Sequence, residues 1–110
     1  METVSLDVAH FAHWLAQQPP DETYLYAGEN CAVVQYLNAH GFHGVHAGFA
    51  TATGFRSDGV LIEIDLGDKV ARALSEVGRK PDQRDFGQST WDATTKAIKA
   101  LLPIARGEGR

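Results

Sequence analysis

No lysine or arginine occurs before Arg56 in this chain of 110 residues. The segment up to that point carries Glu2, Asp7, Asp21, Glu22 and Glu29 with no base to oppose them. It also holds all five histidines: His10, His13, His40, His43 and His46. The remainder has all ten basic residues against nine acids and is slightly positive, so the net charge of -4 arises wholly in the first half. That balance excludes a generic basic nucleic-acid binder. Soluble surfaces ordinarily intersperse both signs. If the polar faces of a base-free half come together, they form a negative surface that attracts a basic partner at long range.

Other absences narrow the reading further. One cysteine, Cys31, excludes an intrachain disulfide framework and fits a reducing cytoplasm. No apolar run approaches the roughly 18–20 residues of a membrane-spanning helix. The start, Met1-Glu2-Thr3-Val4-Ser5, has neither the basic nor the apolar region of a secretory leader. There is no phosphate-binding glycine loop, no GxSxG elbow, no HExxH helix and no CxxC pair. Repeats and low-complexity tracts are also missing. What is present, 44% hydrophobic and 22% charged residues, is the composition of an ordinary globular chain. One domain over 1–110 is expected, with 104–110 as a flexible tail.

The periodicity predicts an α+β fold of the order ααββαα, a small antiparallel hairpin at about 45–66 packed by four helices. Val8, Phe11, Ala12 and Leu15 form the inner stripe of a first helix over 5–18, capped by Ser5 and stopped by Pro19-Pro20. On that phasing Leu6, His10, His13 and Gln17 face outward, with Trp14 at the boundary. Thr23 to Tyr26 reads as a short strand or a loop over the core. A second helix follows at 31–40, capped by Asn30 and closed by Gly41. One strand is expected over 45–55 and a firmer one over 60–66, where Ile62 and Ile64 alternate with Glu63 and Asp65. Asp58-Gly59 marks the turn between them. Helices over 68–78 and 90–102 complete the set, the last capped by Ser89.

Three constellations offer chemistry. Asp21, Glu22 and Glu29 flank Tyr24 and Tyr26. Acids interleaved with aromatics suit a basic groove that normally takes phosphates and stacked bases. Asp7 and Trp14 extend that candidate surface. Cys31 at a helix start gains from unpaired N–H groups, and His43 or His46 could act as its base with Asp65 orienting the imidazole. His10 and His13, three residues apart on one helix, could share a metal ion, with His40, His43 and His46 as further imidazoles and Asp7 or Glu29 completing the set. No cofactor is required by any motif.

Two resemblances bear on these choices. Asn30-Cys31-Ala32-Val33-Val34-Gln35-Tyr36 is similar to the helix start of small bacterial papain-like cell-wall peptidases, which would imply a cysteine hydrolase. Phe11-x-x-Trp14-Leu15-x-x-Gln18-Pro19, Tyr24-x-Tyr26 and Asn30-Cys31-Ala32-x-x-Gln35-Tyr36-Leu37 together resemble a pattern in small proteins of phages and prophages of proteobacteria, with Asp85-Phe86-Gly87 a looser match. That class includes acidic inhibitors of host defence, anti-CRISPR proteins among them. The second resemblance implies a non-enzymatic inhibitor in the bacterial cytoplasm. It would occlude the basic surface of a nucleic-acid-binding complex without touching nucleic acid or membrane. The alternatives are the Cys31 hydrolase and a structural, self-assembling phage protein, and homodimerisation stays open.

Overall fold

The computed structural model of the chain describes residues 2–25, 31–78 and 88–102. In chain order these form β1 (Glu2–Ser5), α1 (Val8–Ala16), β2 (Thr23–Leu25), α2 (Ala32–Ala39), β3 (His43–Ala47), β4 (Thr51–Phe55), β5 (Leu61–Asp65), α3 (Asp68–Gly78), β6 (Gln88–Thr90) and α4 (Trp91–Lys99). The fold is α+β, with four helices among the described residues, as the periodicity predicts. The sheet is larger than a hairpin. Its order is β1-β5-β4-β3, and a separate two-stranded ribbon pairs β2 with β6.

The hairpin at its centre follows from local chemistry. Ile62 and Ile64 face the core while Glu63 and Asp65 face away, and β4 matches them with Ala52 and Gly54 inward. Gly59 takes φ +86° in the turn, where Asp58 accepts the Val60 N–H at 3.2 Å. Glycine at 54 answers a close approach, because a Cβ there would lie 3.1 Å from Val45 Cγ2. The expected single strand over 45–55 is two strands. The chain reverses at Gly48–Ala50, where the Gly48 N–H bonds to the Thr51 carbonyl at 2.8 Å.

The first residues depart from expectation for a tertiary reason. Ser5 is not a helix cap. It is the last residue of β1, which lies parallel to β5 in the register Glu2 to Ile62 and Ser5 to Asp65. The helix begins later, and Asp7 caps it by accepting the His10 N–H at 3.1 Å. Leu6, expected to face outward, packs against the core. Cys31 rather than Asn30 occupies the cap of α2, and Asn30 lies outside the described residues. Thr90 rather than Ser89 caps α4, accepting the Ala93 N–H at 3.2 Å.

All of the core lies on one side of the sheet. Phe11, Leu15, Ile62 and Ile98 are completely enclosed, and α2 covers β3 and β4 while α4 packs against α1 and α3. Thr94 is the most deeply buried of the three polar residues enclosed there, beside Ser89 and Thr95. Its hydroxyl meets Tyr24 Oη and, at 3.2 Å, the Thr90 carbonyl, so no buried polar side-chain atom among the described residues lacks a partner. Phe11→Ala should cost about 3–5 kcal/mol, the usual penalty for emptying a buried phenyl site. Urea denaturation of wild type and variant checks this, with an unchanged slope expected if only packing is lost.

Candidate functional site

The acids and aromatics of residues 21–29 separate in the structure. Tyr24 is buried, its ring stacked on Trp91 at 4.2 Å and its hydroxyl hydrogen-bonded to Thr94. It is therefore a packing residue and not part of a docking surface. Asp21 and Glu22 are exposed, but their backbone is tied to the start of α4. The Glu22 carbonyl accepts the Trp91 N–H at 3.1 Å and the Pro20 carbonyl accepts the Asp92 N–H at 3.2 Å. Their negative charge complements the positive end of that helix. Tyr26 and Glu29 lie outside the described residues, as does Asp85-Phe86-Gly87. Trp14 is half-buried between Tyr36 at 5.5 Å and Trp91 at 5.7 Å, so a second element does cover it. Asp7 is exposed and serves as the α1 cap.

The residues proposed for cysteine chemistry are also kept apart. Cys31 sits on the core side of the sheet and opens on a cleft of about 280 Å³ lined by Tyr24, Phe49, Leu66 and Leu74. His46 pairs with Thr53 and Asp65 with Thr51, and all four face the opposite side. The sheet thus stands between the thiol and both partners. Burial pushes the thiol above its ordinary pKa and outweighs the N–H groups of Val33 and Val34 that pull it down. A neutral thiol without a base is not an activated nucleophile.

The histidines rearrange as well. Nε2 of His13 meets the Gln17 amide nitrogen at 3.2 Å, while His10 turns to α2, where its Nδ1 lies 2.6 Å from Tyr36 Oη. No group of three or more metal-ligating side chains forms among the described residues. No helix among them is long and apolar enough to cross a membrane.

The face of the sheet away from the helices is the surface that sequence reasoning missed. Three cross-strand rows make it: Ser5, Asp65 and Thr51; Thr3, Glu63, Thr53 and His46; Leu61, Phe55 and His43. None of these side chains is buried, so no described element covers them. Thr3 donates to Glu63 at 3.1 Å, which holds that carboxylate on the face. No cation stands among these rows. Arg56, at the neighbouring turn, is already engaged by Asp58 at 3.0 Å and Glu2 at 3.5 Å. The far end is apolar, with Phe55 40% exposed beside Leu61. The alternation Leu61-Glu63-Asp65 is the signal that could have located this face, once β1 and β3 are known to widen it.

Because the folded state holds the Cys31 proton more tightly than the unfolded chain does, stability should fall as pH rises above the ordinary thiol range. Urea denaturation between neutral pH and about pH 9.5 should show this decline, and Cys31→Ala should lessen it. A thiol reagent should also label native Cys31 far more slowly than the urea-unfolded chain. Comparison with protein-family models, curated proteins and solved structures finds no match.

Proposed function

We propose that this protein is a non-enzymatic binding module that inhibits a bacterial nucleic-acid-handling complex, of the host-defence kind, by covering a basic surface. The observation that carries this reading is the open sheet face, which presents Glu63 and Asp65 with no cation beside them. Carboxylates on a broad face compete with phosphates for lysine and arginine. The exposed aromatic end around Phe55 supplies the apolar anchor that charge alone lacks. The resemblance of residues 11–37 to small phage proteins would imply the same class of partner.

Size sets how much surface must take part. Four strands spaced about 4.8 Å apart and five residues at about 3.4 Å each give a face of roughly 250 Å². A standard interface covers about 800 Å² per partner. The contact therefore extends past the sheet onto the two turns that bound it. The turn at Gly48–Ala50 stands at the Asp65 end, and the turn carrying Asp58 stands at the other. Asp21 and Glu22 belong to a different corner, at the start of α4.

The expected outcome of charge reversal separates these two acidic regions. A tagged chain should retain a nucleic-acid-handling protein from bacterial lysate at low salt and release it at high salt. Glu63→Lys with Asp65→Lys should abolish retention, whereas Asp21→Lys with Glu22→Lys should weaken it only modestly. Retention that survives the Glu63/Asp65 reversal in a folded variant overturns the sheet-face reading.

A further inference from the structure

His10, on α1, and His40, at the C-terminal end of α2, are 30 residues apart in sequence and adjacent in space, their ring centres 4.9 Å apart. Both rings are tied to one residue between them. Nδ1 of His40 lies 2.7 Å from the Tyr36 carbonyl, and Nδ1 of His10 lies 2.6 Å from the Tyr36 hydroxyl. A carbonyl only accepts, so Nδ1 of neutral His40 carries the proton and Nε2 keeps its lone pair. Both histidines are exposed, and neither Nε2 has a protein partner among the described residues. Metal-ligating histidines typically have this arrangement, one ring nitrogen fixed by a carbonyl or hydroxyl and the other free for the ion.

The spacing agrees. Two imidazoles bound to one ion at about 2.0–2.1 Å place their ring centres about 4.5–5.2 Å apart for bond angles between about 90° and 109°. The observed 4.9 Å falls inside that range, and the interplanar angle of 72° is free to vary about the metal–nitrogen bonds. We propose that His10 and His40 form a two-histidine site for a late first-row divalent cation, Cu²⁺, Ni²⁺ or Zn²⁺, with Tyr36 as the residue that positions both rings. Binding selects the His10 tautomer whose Nδ1–H donates to Tyr36 Oη. With no third ligating side chain among the described residues, water fills the remaining positions. Imidazole nitrogen sets the selectivity, so Mg²⁺ and Ca²⁺, which require oxygen ligands, are not bound. The site does not depend on the sheet-face reading, since it lies on the helical side of the molecule.

Isothermal titration of the full chain with Cu²⁺ and with Zn²⁺ tests this. One ion per chain is expected, tighter for Cu²⁺ than for Zn²⁺, with no heat from Mg²⁺. His10→Ala and His40→Ala should each abolish binding, and His13→Ala should leave it intact. Tyr36→Phe keeps the ring and the backbone carbonyl but loses the hydroxyl, and should weaken binding by about tenfold. Nitrogen-15 NMR of the imidazoles gives a second readout, in which saturating Zn²⁺ shifts Nε2 of His10 and His40 but not of His43 or His46. Binding that persists in the His10→Ala/His40→Ala double variant, Zn²⁺ shifts confined to His43 and His46, or no one-to-one binding of any of these ions would overturn the proposal.

Discussion

A run of aromatic rings holds the helical layer together. Tyr24 stacks on Trp91, Trp91 meets Trp14 edge-on at 5.7 Å, Trp14 meets Tyr36 at 5.5 Å, and Tyr36 meets Phe11 at 5.0 Å. These rings come from α1, β2 and α2, which follow one another in the chain, and from the distant α4, so one line of contacts fastens α4 to the first elements. Each ring pair adds about 0.5–1.5 kcal/mol beyond the apolar area it buries. The polar ends of the same rings are also used. The Tyr24 hydroxyl settles on Thr94, and the Tyr36 hydroxyl settles on His10. The aromatic content that looks like a binding surface in the sequence is mostly spent inside.

That packing is one-sided, and the consequence is the open sheet. With α2 over β3 and β4 and the other described helices packed on the same core, no described element remains for the opposite face. A sheet whose β3, β4 and β5 are antiparallel tolerates this because alternate residues on each strand can be polar. Here the polar set is threonine, serine, histidine and two carboxylates, and the one arginine at its margin is held by Asp58 and Glu2. The negative charge of this face comes from Glu63 and Asp65, which belong to the second half; the base-free first half adds serine, threonine and histidine to it but no carboxylate.

The candidate residues were legible to different degrees for identifiable reasons. Phe11 and Leu15 follow from helical spacing alone, and both are completely enclosed. Trp14 sits at the edge of that stripe, and its burial depends on Trp91, 77 positions away in sequence. Tyr24 stands among acids and so reads as surface, yet its ring completes the stack on Trp91. His10 and His13 suggest a pair because one helix presents both, but the stronger neighbour of His10 comes from the end of α2. Cys31 is correctly placed at a helix start, while its raised pKa reflects burial that no local pattern reveals.

By itself the sequence determined the α+β class, the four helices of the described residues, the Asp58-Gly59 hairpin and the inward faces of α1 and β5. These rest on interactions between residues close in the chain: periodicity and the positive φ that glycine tolerates. Tertiary structure alone decided that residues 2–5 form a parallel edge strand, since their partner is β5 some sixty residues later. It also decided that the 45–55 segment folds back on itself, which faces of the sheet are covered, and that His10 meets His40 across Tyr36. Such contacts join segments whose separation in sequence carries no period, so only the packed chain brings them together.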